Sequence, residues 1–298
     1  MSVYKGIRKS LFFAGLMILS CIIQVNMAHA GAGRELNDSI PAGTSDVINI
    51  SARKADITIH SWDKPMVRVY VRIAVSHSDE TTAKRELQYV HCNTGKTGKN
   101  IYINNYFSLP AGVNRINSVI SVNYEIYVPA KTSLIINNDY GNCEVNGVNG
   151  LINLNNNYGN IYLNNLQGII RIYAKLCNIK ADLLYGESEF NTENSDYSVK
   201  NLNGNVTISN KVGKLLIEPG DRLRFLKINS SNSEVELKVR NFDNFNYVLN
   251  TKNAEVKIAD KFNHYPFKRK SDSEVYYTSG SNKPAIEIYT SFNNIKIN

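Results

Sequence analysis

The middle of the chain alternates apolar and polar residues with the two-residue period of β-strands, and this alternation recurs at a fixed spacing. Gly150, Gly168, Gly186 and Gly204 follow one another at intervals of eighteen residues, and Gly220 follows sixteen residues later. When segments are aligned at these glycines, apolar residues fall into columns. The first two columns contain Leu134, Ile152, Ile170, Ser188 and Val206, and then Ile136, Leu154, Ile172, Phe190 and Ile208.

Three further columns follow a turn within each segment. They contain Cys143, Ile161, Ile179, Tyr197 and Leu215; then Val145, Leu163, Ala181, Val199 and Ile217; and last Val148, Leu166, Leu184 and Leu202. The turn itself lies at a constant offset, and its second residue is always small, as a tight bend requires. Its pairs are Tyr140-Gly141, Tyr158-Gly159, Leu176-Cys177, Asn194-Ser195 and Val212-Gly213.

These columns predict an all-β fold, a β-solenoid with about 18 residues per rung, regular over residues 134–220. One rung cannot bury its apolar face alone, whereas rungs stacked about 4.8 Å apart enclose a continuous column of aliphatic side chains. Asn142, Asn160 and Asn178 occupy equivalent positions, so their amides are expected to form a ladder from rung to rung. The alternative is an antiparallel sandwich or barrel in which each turn is a hairpin.

Less regular strands are predicted on both sides of the repeats. Before them lie Val47–Ser51, Asp56–His60, Val67–Ala74, Ile101–Asn104 and Val119–Val128, with a short helix within 79–90. After them lie the pairs Phe225–Ile228 with Val235–Val239, Val248–Asn250 with Val256–Ile258, and Ile286–Tyr289 with Ile295–Ile297. We therefore expect a single solenoid domain over 46–298, interrupted most strongly at 259–284. Residues 31–45 contain three glycines and a proline and are predicted to be a flexible leader.

The first thirty residues have the features of a secretory signal peptide. Lys5, Arg8 and Lys9 precede an apolar run from Leu11 to Ile23, and Ala28-His29-Ala30 is a small-x-small cleavage site. Cleavage after Ala30 would place the protein in the periplasm or on the cell surface. The alternative is a lipoprotein with Cys21 as its modified N-terminus, because Ile18-Leu19-Ser20-Cys21 resembles a lipobox. No later apolar stretch is long enough for a membrane span, so none is expected in the mature chain.

Net charge and cysteine content argue against two classes of protein, nucleic-acid-binding proteins and disulfide-rich scaffolds. Because Lys5, Arg8 and Lys9 are the only charged residues of 1–30, cleavage lowers the formal net charge from +8 to +5. This mild excess suits anionic surfaces, but no basic stripe with interleaved aromatic residues indicates nucleic acid. Cys92, Cys143 and Cys177 remain, which is too few for a disulfide scaffold. Cys143 is expected in the core, whereas Cys92 is either a free thiol or a link between chains.

The chain resembles the bacterial "putative adhesin" family of β-strand-repeat proteins, close to the head GIN domain. The resemblance rests on Val47–Ile50, Ala55–Trp62, Val122–Pro129, the Tyr-Gly-Asn turns at Tyr140 and Tyr158, and Ile286–Asn298, and covers nearly the whole mature chain. It implies a right-handed β-helix-like fold on an exported protein, and it provides no catalytic residues. Cys177 and Ser195 depart from the pattern because they replace the turn glycine.

Three sequence features could carry chemistry. Gly95-Lys96-Thr97-Gly98-Lys99 resembles the end of a phosphate-binding loop, but Val90 replaces the required first glycine, so an ordinary turn is predicted. Five acids on the third and fourth rungs could serve a glycosidase or hold calcium, although their alternation with apolar residues favours a solvated face. They are Asp182, Glu187, Glu189, Glu193 and Asp196. The histidines lack metal-ligand spacing, so no metal or other cofactor is expected.

The third feature is a basic, aromatic loop, which is the best candidate contact surface; the alternative is a solvated insertion. It contains Phe262, His264, Tyr265, Phe267, Lys268, Arg269 and Lys270. Without a catalytic constellation, the sequence favours a non-catalytic exported adhesin or scaffold that binds a glycan or matrix protein or associates with itself. The alternative is a carbohydrate-active lyase or hydrolase on a β-helix. A role in envelope signalling is neither supported nor opposed by the residues.

Overall fold

The computed structural model describes residues 30–298. The predicted signal peptide and the lipobox cysteine Cys21 lie outside the described residues, except for Ala30, which begins the first strand. The described chain is almost entirely β-structure, which confirms the all-β prediction, and its strands join into one 17-stranded sheet that coils on itself like a solenoid.

Seventeen extended elements, one α-helix and two short 3-10 helices, Phe242–Asn244 and Asp260–Phe262, make up the described fold. Two of the elements, β10 and β11, are 45 and 42 residues long and continue around several corners. The elements are β1 (Ala30–Pro41), β2 (Val47–Arg53), β3 (Ala55–Trp62), β4 (Met66–His77), α1 (Glu80–Leu87), β5 (Val90–Thr97), β6 (Asn100–Phe107), β7 (Val119–Pro129), β8 (Ser133–Asp139), β9 (Cys143–Asn146), β10 (Asn149–Glu193), β11 (Asp196–Leu237), β12 (Asn246–Lys252), β13 (Val256–Ile258), β14 (Lys268–Ser271), β15 (Glu274–Tyr277), β16 (Ala285–Ser291) and β17 (Ile295–Ile297). The strands and the helix predicted from the sequence are all present.

Parallel pairing stacks the middle coils directly above one another. β8 pairs with the start of β10, where Leu134 lies opposite Ile152. β10 pairs with β11, where Ile179 lies opposite Tyr197. In both pairs the partner is eighteen residues further along the chain. Equivalent side chains of successive coils therefore occupy the same environment.

The inward columns form the core. Ile136, Leu154 and Ile172 are fully buried, and Leu154 lies opposite Ile136 in the sheet. They belong to one continuous cluster of buried residues that extends from Ile40 to Ile297. The apolar columns predicted from the repeat are thus confirmed as one core.

The stacking order differs from the chain order at both ends. β2 lies between β6 and β8, and β3 lies between β7 and β9. At the opposite end β16 lies between β11 and β12, and β17 lies between β11 and β13. Ile48, for example, pairs with both Ile101 and Leu134. The coils β2–β3 and β16–β17 are therefore held by backbone pairing on both sides.

Antiparallel strands close the two ends. β4 pairs with β1 and β7, and β5 pairs with β6. At the other end β15 pairs with β12 and β14. Closing strands of this kind reduce the exposed edge that a stack of parallel coils would otherwise present to other chains.

The prediction that residues 31–45 form a flexible leader is wrong for residues 31–41. β1 pairs with β4 along its whole length, from Ala30 opposite His77 to Pro41 opposite Met66. Leu36 and Ile40 pack against the core, and β4 offers them an edge with unpaired backbone groups. Gly31, Gly33, Glu35, Asn37 and Ser39 are exposed on the outer side of this strand, which gives the segment the composition of a linker.

Corners with left-handed backbone angles turn each coil. The first corner recurs with φ of 62°, 59°, 55°, 49° and 67° at Tyr140, Tyr158, Leu176, Asn194 and Val212. The residue after this corner approaches the preceding coil so closely that a Cβ on Gly159 would lie 2.0 Å from the carbonyl oxygen of Gly141. Cys177 and Ser195 occupy this position in the next two coils, so the local backbone there accommodates a small side chain.

We predict that Gly159→Ala lowers the free energy of unfolding by about 2–4 kcal/mol, because the new methyl group must displace the neighbouring coil. Gly95→Ala is the matched control, since a Cβ there meets nothing within 4 Å. Urea denaturation at equilibrium measures both. Equal stability of the two variants would contradict the close approach between coils.

Helix α1 is tied to the loop before β7 by a buried carboxylate. Glu86 accepts hydrogen bonds from the backbone N–H groups of Asn117, at 3.1 Å, and Ser118, at 2.8 Å. Burial raises the pKa of Glu86, but the hydrogen bonds from Ser118 and Asn117 lower it by more, so the pKa lies below its ordinary value. The ionised carboxylate therefore stabilises the folded state.

We predict that Glu86→Gln destabilises the protein at pH 7 by about 1–3 kcal/mol, the range for a charged hydrogen-bond partner. Because the folded pKa is depressed, this difference is present above pH 4.5 and disappears as the pH falls through the folded pKa. Glu80→Gln, which removes only an exposed ion pair with Lys84, should change stability by less than about 1 kcal/mol. Thermal unfolding from pH 3 to 8 measures both, and a pH-independent effect of Glu86→Gln would contradict the assignment.

Candidate functional site

The first corner of five successive coils presents a line of side chains to solvent. We call this line the corner ridge; its members are Tyr140, Tyr158, Leu176, Asn194 and Val212. Tyr140, Tyr158 and Leu176 are 48%, 45% and 45% exposed. Large apolar groups of this kind, exposed in a row, are typical of contact surfaces.

The ridge is ordered because the coils are in register. The rings of Tyr140 and Tyr158 stack with centroids 4.8 Å apart and an angle of 7° between their planes. The left-handed φ at each corner turns the side chain away from the core. Ring faces contact each other along the stack, so the ring edges and hydroxyl groups form the outer surface.

An amide ladder runs beside the ridge, two residues further along each coil. It consists of Asn142, Asn160 and Asn178. The Nδ2 of Asn160 donates to Oδ1 of Asn142 at 2.9 Å, and the Nδ2 of Asn178 donates to Oδ1 of Asn160 at 3.1 Å. The predicted ladder is confirmed. Asp56 continues it on one side by accepting a hydrogen bond at 2.8 Å from the backbone N–H of Asn142.

A second, buried row of amides lies beneath the ridge and was missed by the sequence analysis. Asn138 donates to Oδ1 of Asn156 at 3.1 Å and to the carbonyl oxygen of Ala55 at 3.0 Å. Asn210 donates to the hydroxyl of Ser233 at 3.1 Å. The available signal was an asparagine two residues before the turn residues Tyr140, Tyr158 and Val212. These buried amides satisfy corner backbone groups that would otherwise lack partners.

The five acids do not converge. Asp182 lies in a groove on the side formed by residues 144–146, 162–164, 180–182 and 198–200, and Asp196 lies on the same side as Asp182. Glu187 and Glu189 line a groove on the other side. Glu189 lies 3.8 Å from Arg171, and Glu193 lies 3.2 Å from Lys175. The five carboxylates are dispersed over two sides, and two of them, Glu189 and Glu193, are paired with basic groups.

The basic, aromatic loop is not the exposed contact surface proposed for it. Phe262 is buried, and Tyr265 and Phe267 pack against the core. Their rings surround Phe242, with centroid separations of 5.2, 5.3 and 6.4 Å. Lys268, Arg269 and Lys270 are exposed on β14. The aromatic residues cover the last coil, whose apolar side would otherwise face water, while His264 and the three basic residues are exposed.

The other sequence features have structural roles. Gly98 turns the chain between β5 and β6 with a φ of 59°, and Lys96 forms an ion pair with Asp46 at 2.5 Å, so the segment is a hairpin. Within residues 30–298, no three His, Cys, Asp or Glu side chains cluster as a metal ion requires. In the same range no helix has the length and apolar character to cross a membrane.

The cysteines of the described chain are free thiols. Cys143 is fully buried in an inward column as predicted, and burial raises its pKa to about 12. Cys92 is half-buried beside the hydroxyl of Tyr124 at 3.5 Å, and burial raises its pKa too. Raised thiol pKa values keep both groups protonated and unreactive at neutral pH.

An aromatic platform lies on the outer face of β3, β4 and β7 and was also missed by the sequence analysis. It consists of His60, Trp62, Tyr70 and Tyr127. The Tyr127 ring lies 5.4 Å from His60, 5.3 Å from Trp62 and 6.4 Å from Tyr70, between centroids. These residues come from three strands, and only the pairing of the strands brings them together.

Comparison with known proteins identifies one family model, Toastrack DUF4097, which matches residues 45–298. Among curated proteins, none matches the chain. Similar solved structures include a "putative adhesin" from Bacteroides fragilis, at 8% identity and a TM-score of 0.48, covering 89% of this chain and 97% of that one. A "putative cell adhesion protein" from Clostridium sporogenes has 13% identity and a TM-score of 0.26, with 89% and 99% coverage. A "putative lipid binding protein" from Parabacteroides distasonis has 15% identity and a TM-score of 0.43, with 90% and 98% coverage.

We predict that Asn160→Ala, which interrupts the amide ladder at its centre, lowers the free energy of unfolding by about 1 kcal/mol, because two side-chain hydrogen bonds are lost. Asn155→Ala is the control, since Asn155 is exposed on the same coil and should change stability by less than about 0.5 kcal/mol. Chemical denaturation distinguishes the two. No difference between them would mean that the ladder does not stabilise the stack.

Proposed function

The chain belongs to the Toastrack DUF4097 family, and from this we propose that it is an exported, non-catalytic β-repeat protein that acts as an adhesin or scaffold at the cell surface or in the periplasm. The observation that carries the proposal is the corner ridge beside the amide ladder, where equivalent exposed groups recur from coil to coil. The stacked rings of Tyr140 and Tyr158, 4.8 Å apart, represent this regular spacing.

We propose further that residues 46–298 form a single right-handed solenoid whose basic unit is a rung of about eighteen residues. The eighteen-residue offset between β10 and β11 supports this unit. The end coils depart from it, because Leu226 pairs with Ile286, sixty residues away. In this interpretation, each end coil is also a rung of this kind, but the closing strands are inserted in the sequence between it and the rung on which it stacks.

Export rests on the N-terminal sequence. The basic residues, the apolar run and Ala28-His29-Ala30 favour cleavage after Ala30, with lipid attachment at Cys21 as the alternative. Cleavage would release a chain that begins with β1, whose pairing with β4 ties the new N-terminus to the sheet. The three cysteines within residues 30–298 are free thiols, so folding of this part of the chain requires no oxidative step.

A binding role accounts for the surface better than a catalytic one. A glycosidase requires two carboxyl groups about 5–10 Å apart across one groove. Here Glu189 and Glu193 are paired with Arg171 and Lys175, and Asp182 lies on the other side of the coil. Of the five acids, Glu187 and Glu189 share one groove, but Arg171 lies beside Glu189, so the alternative of a carbohydrate-active enzyme has less support than a binding role.

The regular surface suits an extended partner. A glycan chain, a matrix protein or a second copy of this chain can contact several coils at once, and weak contacts repeated along one line add to a useful affinity. Aromatic side chains contribute most of the energy in such contacts because they bury a large area at low entropic cost.

We predict that the double variant Tyr140→Ser/Tyr158→Ser binds its partner at least about tenfold more weakly, because two adjacent ridge rings are removed. The exported protein is applied to arrays of glycans and matrix proteins, and self-association is measured by analytical ultracentrifugation. Tyr102→Ser/Tyr173→Ser is the matched control, since both tyrosines are 43% exposed on strand faces away from the ridge.

Three results would decide the matter. Selective loss of binding or self-association in the ridge variant supports the proposal. Equal loss in both variants would show that the ridge has no special role. The absence of any array partner and of any self-association in the unmodified protein would overturn the adhesin or scaffold role.

A further inference from the structure

We propose that the aromatic platform, His60, Trp62, Tyr70 and Tyr127, is a binding site for an uncharged saccharide. The inference rests on the binding role proposed above but concerns a different surface from the corner ridge. It gives that role a ligand class and a place in the fold. The platform lies on the closing strands at one end of the solenoid, where the sheet continues as β3, β7, β4 and β1.

The strand register brings the four rings together. Tyr127 of β7 lies between Arg68 of β4 and His60 of β3, and Trp62 lies opposite Pro129 at the end of the same pairing. The alternation of β4 turns Val67, Val69 and Val71 into the core and leaves Tyr70 on the outer face. The rings therefore lie on a rigid sheet, which loses little entropy when a ligand binds.

Tyr127 is the centre of the cluster. Its ring is tilted by 35° to His60 and by 34° to Trp62, and it meets Tyr70 edge to face at 83°. The four side chains are only partly buried, so part of the aromatic surface is in contact with solvent. The C–H face of a sugar ring is the apolar part of an otherwise polar molecule, and flat aromatic surfaces of this size complement it.

Polar groups border a groove of about 500 Å³ beside these rings. The groove is lined by Tyr70, Tyr127 and five polar side chains of β1, β4 and β7, which are Glu35, Asn37, Arg72, Asn123 and Glu125. An apolar floor with a few fixed hydrogen-bonding groups is typical of small-molecule sites. Carboxylates and amides accept and donate the hydrogen bonds that sugar hydroxyl groups require.

The charges at the groove favour a neutral ligand. Arg72 forms an ion pair with Glu35 at 3.0 Å, and Glu125 accepts a hydrogen bond from the Tyr127 hydroxyl at 2.5 Å. Arg68 stacks over the Tyr70 ring, with 4.5 Å from its Cζ to the centroid. The lining residues Glu35, Arg72 and Glu125 carry a formal charge of −1, and Arg68 over the Tyr70 ring offsets it, so neither an anionic nor a cationic ligand gains much from the local field. Lys64 adds one positive charge beyond the groove, over Trp62.

One polar atom at the platform is unsatisfied. The Nε of Arg68 is buried and has no hydrogen-bond partner among the described residues. A buried donor without a partner costs free energy, and a shift of the Arg68 side chain on binding would let this donor reach a ligand hydroxyl. This places a hydrogen-bond donor at the edge of the ring cluster, where the polar rim of a stacked sugar would lie.

The single tryptophan makes the test direct. Trp62 is the only tryptophan of the chain, so fluorescence excited at a wavelength that tyrosine does not absorb reports on the platform alone. The exported protein is titrated with maltotetraose, cellotetraose and chitotetraose as neutral probes and with tetragalacturonate as the anionic one, and calorimetry is run in parallel. We expect a saturable change in emission with at least one neutral tetrasaccharide. We expect Tyr127→Ser and Glu125→Gln to weaken that binding at least about tenfold.

The controls separate this inference from the proposed function. Tyr140→Ser/Tyr158→Ser and Tyr102→Ser/Tyr173→Ser should bind the saccharide as the unmodified protein does. If Tyr127→Ser does not fold, Glu125→Gln and the exposed Asn123→Ala still test the groove. Unchanged binding in the groove variants, binding of tetragalacturonate alone, or no binding of any neutral probe at millimolar concentration would overturn the inference. Ridge-dependent binding to other array partners would then leave the adhesin role intact.

Discussion

The close approach of successive coils is the constraint on which the rest of the structure depends. At the first corner the backbone of one coil lies so near the carbonyl groups of the coil before that a Cβ on Gly141, Gly159 or Gly213 would lie about 2 Å from an oxygen. This contact fixes the register, because any slip would place a larger residue at the corner. The same register places Leu154 opposite Ile136 in the core and stacks the two tyrosine rings of the corner ridge. It also brings the side-chain amides of the ladder within hydrogen-bond distance.

Stacking of this kind also decides where binding surfaces can form. In the middle of the solenoid equivalent positions recur from coil to coil at one spacing, so the surface is regular and suits a long partner. At the end formed by β1, β4, β7 and β3, the strands come from distant parts of the sequence. The side chains there are not repeats of one another, and a compact, specific cluster such as the platform can form beside the regular ridge.

The sequence predicts the middle coils well because their repeat is visible over short stretches of the chain. Glycines recur every eighteen residues, with alternating aliphatic residues between them; they are Gly150, Gly168, Gly186 and Gly204. It also predicts most of the end strands, but not β1, β5, β14 or β15. It does not predict their order, since β2 pairs with strands 53 and 86 residues away and no local pattern encodes such distances. Amino-acid composition gives two wrong predictions. Residues 31–41 are predicted to be flexible because they have the composition of a linker, but they form a strand. Phe262 is predicted to lie on a contact surface, but it is buried. The platform depends on those same long-range pairings.

The exchanged order of the end coils constrains how the protein folds. β12 precedes β16 in the chain, yet in the folded protein β16 lies between β12 and the preceding coil. As an exported chain emerges from a translocation channel, β12 must therefore stay undocked, or dock provisionally, until β16 has also emerged. Assembly from the middle coils towards this end is completed only by this non-local closure, and we expect such pairing to be slow. Until then the edge of the growing stack stays open, and a chaperone or a neighbouring chain has time to reach it.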